Sequence, residues 1–300
     1  MLKIAWDSCY AHKLPPGHRF PMAKYNLIPE QLIYEGSIVE NQLFKPGILP
    51  EDVILLTHEA NYWNRLKNLT LSPREQRKTG FPHTKSLIRR EQIIMQGTML
   101  ATAYAIQYGI AMNVAGGTHH AFSGAGEGFC LLNDQAIAAK YLLDEKNYNS
   151  ILIVDLDVHQ GNGTAQIFEH EPRVYTFSMH GASNYPLKKM TSDLDIALPD
   201  FCNDEYYLTL LQKHLPKIID NTQPQIIFFQ CGVDVLASDK LGRLSLTING
   251  CKQRDEFVLS LAHQNHIPIV CSMGGGYSPR IADIVNAHAN TFRLAQDIFF

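Results

Sequence analysis

The segment 151-ILIVDLDVHQGNGT-164 constrains the fold more than any other. Ile151 to Val154 is an unbroken β-branched and leucine run, the pattern of a strand buried on both faces within a parallel sheet. Asp155, Asp157 and His159 then follow at alternate positions. In a continuing strand, residues two apart share a face, so three ionisable side chains would line one side of an otherwise apolar element. The reading of these residues as a solvated edge strand conflicts with the apolar run before them. A buried strand that ends in this way predicts a polar site at its carboxyl end.

Comparable apolar runs lie at residues 2–5, 53–56, 110–114, 174–177, 226–229 and 268–270, and helical periodicity fills 85–108, 133–144 and 204–219. Strands alternating with helices predict an α/β fold, a mainly parallel multi-stranded sheet flanked by helices on both faces. A chain of 300 residues with 45% hydrophobic content can bury one large core, and no linker interrupts it, so residues 1–300 are read as a single domain. Ser278-Pro279 predicts the start of a final helix, an N-cap followed by proline at the first helical position. Residues 61–82 are polar and punctuated by proline, which predicts an irregular excursion.

Composition narrows the partners. A formal charge of −3 without a lysine or arginine block argues against nucleic acid and membrane surfaces. The amino terminus lacks the pattern of a secretory signal, and no apolar run reaches membrane-spanning length. The six cysteines are scattered with no C-x-x-C pair, in keeping with reduced thiols and a cytoplasmic location.

In a parallel sheet, ligands bind at the carboxyl ends of the strands. Those ends carry AGGTHH (115–120), DLDVH (155–159), SMH (178–180), QCGVD (230–234) and SMGGGY (272–277). Asp157, His159 and Asp234 together offer the mixed nitrogen and oxygen donors that suit Zn²⁺, with Fe²⁺ or Mn²⁺ as alternatives. Two carboxylates cancel the charge of such an ion and weaken its acidifying effect on water, so a separate general base is expected, for which His119 and His120 are the candidates. Adjacent histidines on an extended chain point apart, but Gly116-Gly117 permits a turn that brings both to the site. Asp155 is placed to accept from one imidazole, and Asn162 from the other. Tyr277, after three glycines, could donate to an oxyanion, and Phe129 and Tyr185 could wall an apolar channel.

The ordered segments GGTHHAFSGAGEGFCLLND, ILIVDLDVHQGNGT, VYTFSMHG, FFQCGVDVLASDKLGRLSLT and MGGGY, with RFPMAKY near the amino terminus, resemble the zinc-dependent histone deacetylase family of the arginase/deacetylase fold. The resemblance implies zinc at Asp157, His159 and Asp234, with His120 as general base and acid. His119 would be its electrostatic partner, oriented by Asp155, and Tyr277 the oxyanion donor. It further implies that Gly128, Phe129, Tyr185 and Gly275 contact the substrate. A structural K⁺ would sit among Asp155, Asp157, His159, Ser178 and Met179, and Arg19 would lie at the pocket floor. Asn162, where class I relatives carry aspartate, and Leu187-Lys188-Lys189 after Tyr185-Pro186 make the chain similar to the short bacterial and class IV branch. The expected substrate is an acylated lysine in a peptide or protein. A small acylated amine is the alternative, and a non-catalytic acyl-lysine binder the remote one.

Overall fold

The apolar run at Ile151 occupies the middle of the sheet. In the computed structural model, which describes residues 1–300, β4 (Ile151–Asp155) is wholly buried and pairs in parallel with β5 (Val174–Gly181) on one side and β7 (Ile226–Gln230) on the other. With β1 (Lys3–Ala5), β2 (Leu43–Phe44), β3 (Ile110–Asn113), β6 (Leu194–Leu198) and β8 (Ile269–Ser272), these form one eight-stranded sheet in the order β2-β1-β3-β8-β7-β4-β5-β6. Every pairing is parallel. The chain leaves β3, skips two places to β4, builds outward to β6, and returns to fill the gap with β7 and β8. The carboxyl ends of β3, β8, β7 and β4 therefore stand side by side, where a crossover sheet opens a crevice.

Strand pleating distributes the core over both faces. Ile151 and Ile153 pack with Phe228 and Val270 against alanines of α5 (Lys85–Tyr108) and α6 (Asp134–Glu145). Leu152 and Val154 point the other way, into the larger cluster shared with α8 (Asp204–Thr222), α9 (Ile248–Gln264) and α10 (Ile281–Phe299). Each such aliphatic side chain contributes about 1.5–3 kcal/mol by burial, which explains the absence of polar residues from the strand body. No helix is long and apolar enough to cross a membrane.

Three sequence expectations change. Residues 53–56 are not a strand: helix α2 (Glu51–Leu55) buries Ile54 and leaves Leu55 exposed, and Glu51 and Asp52 in its first turn favour the helix N-terminus. The segment 61–82 is not irregular, because it holds α3 (Ala60–Lys67) and α4 (Pro73–Thr79). The signals of α4 are legible in the sequence: Ser72 and Glu75 form a capping box, Pro73 is the first helical residue, and Gly80 ends the helix at φ 75°. The last helix begins at Ile281, since the Ser278 hydroxyl is engaged 2.8 Å from that of Ser238 instead of capping a helix. Edge strands β2 and β6 went unpredicted because they are short and half-exposed, unlike the central runs.

Candidate active site and metal centre

β4 ends at Asp155, so Asp157 and His159 do not share a strand face as the alternation suggested. The chain instead makes two successive turns: the Asp155 carboxylate accepts the Asp157 N–H at 3.2 Å, and the Asp157 carboxylate accepts the His159 N–H at 3.0 Å. Short acidic side chains that bond the backbone two residues on stabilise turns of this kind. Asp234, beyond β7, is brought in by the Val158 N–H, which donates to its Oδ1 at 3.0 Å.

Ligand atoms of Asp157, His159 and Asp234 lie within 4.8 Å of one another, and all three residues are buried. His159 Nδ1 faces both carboxylates, 3.0 Å from Asp157 Oδ1 and 3.1 Å from Asp234 Oδ2. Burial and the charge of Asp157 push the Asp234 carboxyl up to about 7. Two buried carboxylates around one imidazole thus carry a repulsion that a divalent cation would relieve, and the donor set fits such an ion.

The loops are held from behind by residues the sequence did not single out. Arg254 of α9 has no exposed surface; its guanidinium donates to the Leu156 and Gly232 carbonyls at 3.0 and 2.7 Å and pairs with Asp255. Lys24 of α1 (Lys24–Tyr34), also fully buried, donates to the Gly274 carbonyl at 2.8 Å. Burial lowers its ammonium to about 8, against the opposing pull of Asp234, Asp157 and Asp239. Lys24 lies within the RFPMAKY segment, and a lysine on the apolar side of a helix was the available signal. Gly275 lines the inner cavity, but its backbone serves the ligand loops: its N–H donates to Asp157 Oδ2 at 2.8 Å and its carbonyl accepts from Val233 at 2.9 Å.

His119 and His120 do face the same site. Gly116 and Gly117 adopt φ of 79° and 72°, and the two imidazole rings end with centroids 4.1 Å apart. His119 Nδ1 is 2.7 Å from Asp155 Oδ2, and His120 Nδ1 is 2.6 Å from the Oδ1 of Asn162, the first residue of α7 (Asn162–Phe168). Burial alone would lower His119, but Asp155 and Asp157 more than offset it and hold the ring at about 9. His120, buried beside His119 and His159 with only an amide partner, is driven well below the ordinary histidine range. The carboxylate partner thus favours the charged form of His119, while burial and an amide partner favour the neutral form of His120, the separation that acid–base pairs use.

Aromatic rings form the approach. Tyr277 packs 5.8 Å from Phe129 and 5.9 Å from Phe20, and Tyr185 stands edge-on 5.1 Å from His120. Burial raises the Tyr277 phenol well above its usual range, so it stays protonated. Gly128 and Phe129 take φ of 57° and 67°, held by N–H bonds to the Lys78 and Thr79 carbonyls at the end of α4. An outer cavity of about 220 Å³ between Phe129, Tyr185 and Tyr277 meets an inner one of about 40 Å³ that reaches Arg90 and Ile94. Arg19 is not at the floor: it is exposed, lines the outer cavity, and lays its guanidinium 5.0 Å from the Phe129 ring centroid. Without a carboxylate partner a guanidinium stays near solvent, whereas Arg90 can be buried because it pairs with Glu91. Asp155 stands opposite Ser178 in the β4–β5 register, with Met179 next along β5.

A model of the histone deacetylase domain matches residues 18–292. An uncharacterized protein of Picosynechococcus is 41% identical over 296 residues, covering 99% of both chains. Histone deacetylase 2 of Arabidopsis thaliana is 27% identical, over 89% of this chain and 72% of its own. The crystal structure of an HDAC homolog from Aquifex aeolicus superposes with a TM-score of 0.84 at 22% identity, covering 98% of this chain and 84% of that one.

Proposed function

Because the chain belongs to the histone deacetylase family, we propose that it is a metal-dependent amide hydrolase that removes acyl groups, acetyl foremost, from lysine side chains. The observation that carries this reading is the convergence, at the end of one aromatic cavity, of Asp157, His159 and Asp234 with two histidines, His119 held by a carboxylate and His120 by an amide. We assign zinc to Asp157, His159 and Asp234, potassium to the Asp155, Ser178 and Met179 region, and a cytoplasmic location consistent with six free cysteines.

The lysine stem would pass between Phe129 and Tyr185, shielded from water, with the Gly128 carbonyl at the substrate amide. The zinc ion would supply Lewis acidity toward the carbonyl and lower the pKa of the attacking water. His120, neutral, takes the proton of that water and returns it to the leaving amine. His119, held as imidazolium by Asp155, adds positive charge beside the developing oxyanion, to which the Tyr277 hydroxyl donates. The inner cavity of about 40 Å³ suits a short acyl group, since one water needs roughly 10–15 Å³ by this measure.

The test is kcat/KM of zinc-loaded protein on one peptide carrying acetyl-, octanoyl- or myristoyl-lysine, with a chelated control. Chelator-sensitive cleavage that favours acetyl is the expected result. Hydrolysis of acetylpolyamines but of no peptide would transfer the reading to small amines, and no hydrolysis of either would overturn it.

A further inference from the structure

Asn162 gives His120 a neutral partner, and the next contact outward is a carboxylate. The Asn162 Nδ2 donates to Glu127 Oε1 at 2.6 Å, while its Oδ1 stands 2.6 Å from His120 Nδ1. We infer that Glu127 is a positioning residue for the general base: through Asn162 it holds His120 as the Nδ1–H tautomer, with the Nε2 lone pair free for the proton.

The reasoning is one of donors and acceptors. An ionised carboxylate only accepts, so the amide nitrogen of Asn162 must face Glu127. The amide oxygen must then face His120, and the ring nitrogen opposite an oxygen must carry hydrogen. A reversed amide would set two acceptor oxygens against each other at hydrogen-bond distance. It would also offer an N–H to His120 Nδ1, which moves the ring proton to Nε2 and removes the base. His119 needs no such relay, because Asp155 contacts its Nδ1 directly at 2.7 Å. An asparagine next to the base can face either way, and the carboxylate beyond it selects one orientation.

The backbone is built to keep Glu127 in place. Its carbonyl accepts the Cys130 N–H at 2.9 Å, and Gly128 N–H is fixed on Lys78 O at 3.0 Å. A Cβ at Gly126 would fall 2.7 Å from both the Cys130 carbonyl and the Tyr62 hydroxyl, and one at Gly128 would fall 2.5 Å from His120 Cδ2, so the turn sits hard against the histidine. Glu127 also faces the Tyr185 phenol, whose pKa is raised by burial and by this carboxylate. None of this is legible from the GAGEGF segment, because no local pattern marks which side chain its glutamate meets.

The catalytic meaning of this tautomer rests on the hydrolase reading; the tautomer itself does not. The experiment is a long-range ¹H–¹⁵N correlation of the histidine rings in zinc-loaded wild type, Glu127→Ala and Asn162→Asp/Glu127→Gln, with kcat and KM measured on acetyl-lysine peptide. His120 is assigned by the signal lost in His120→Ala. Wild type should show a protonated Nδ1 and a lone-pair Nε2. Glu127→Ala should show mixed tautomers and a kcat lower by roughly 10-fold or more, with KM little changed, the usual scale for removing an orienting partner. The double variant moves the carboxylate to His120 itself and should restore both signature and kcat. An unchanged His120 signature in Glu127→Ala overturns the inference, as does a double variant with the wild-type tautomer and no recovery of kcat. Should wild type hydrolyse nothing, the function assignment fails while the ring signature still decides the role of Glu127.

Discussion

Replacing Gly275 by alanine should disable the metal centre while leaving the sheet intact. A Cβ at this position would lie 1.9 Å from Asp234 Oδ2, 2.7 Å from its Cγ and 2.8 Å from Asp157 Oδ2. Ordinary contact begins near 3.4 Å, so Asp234 Oδ2 must retreat by about 1.5 Å, the difference between 3.4 and 1.9. Metal–oxygen distances tolerate only about 0.2 Å, so Asp234 is lost as a ligand. Rotation is no remedy, because Oδ1 is already held by Val158 N–H. A fall in zinc affinity of at least about 100-fold follows, the upper end for disturbed partners of a metal site. At free zinc near 100 times the wild-type Kd, wild type gains about 2.7 kcal/mol and the variant about 0.4 kcal/mol. For a chain of this size that is a zinc-dependent Tm rise of roughly 5 °C in wild type against under about 1 °C in the variant. Thermal unfolding in zinc buffers measures both. The metal-free variant should lose a further ~1–3 kcal/mol from overpacking. A variant that binds zinc with the wild-type midpoint would refute the reasoning.

Tyr277→Phe and His120→Ala should each lower kcat by roughly 100-fold or more with zinc still bound, measured by turnover and metal content together; near-normal turnover would remove the assigned role. Arg254→Met, which leaves Asp255 buried with Thr291 as its remaining side-chain partner, should cost about 3–5 kcal/mol in urea unfolding and weaken zinc binding, since Leu156 and Gly232 lose their common donor. Glu35 is held down at about 2, chiefly by its hydrogen bond to Arg293, so its stabilisation is complete above about pH 5 and disappears as pH falls toward 2. Glu35→Gln should therefore be less stable than wild type by under ~1 kcal/mol at pH 7, with the gap closing below about pH 4; a gap that persists at low pH contradicts the pairing.

The sequence by itself determined the parallel sheet and which residues stand at its rim. Continuous runs such as Ile151 to Val154 can be satisfied only between other strands, and the residues just beyond them must then stand at strand ends. That logic reached Asp157, His159, His119, His120 and Tyr277 even though β4 stops at Asp155 and the alternation proved to be a pair of turns. The short apolar run at 53–56 misled because strand and one-sided helix look alike over four residues.

What only the tertiary structure decided is which distant groups meet. Lys24 reaches Gly274 across 250 residues of chain, and Arg254 reaches Leu156 across 98. Position on the apolar side of a helix marks Lys24 as buried but not what it meets, because a buried cation is defined by the distant carbonyls and carboxylates that close around it. Arg19 and Arg90 are equally plausible floor residues as letters, and only the presence of Glu91 against Arg90 at the inner cavity separates them. The relay from His120 through Asn162 to Glu127 likewise exists only where the connection after β3, which carries both His120 and Glu127, folds against the segment after β4, which carries Asn162. Local patterning sets where strands begin and end. The strand order, which the pattern does not encode, sets which of those ends share one site.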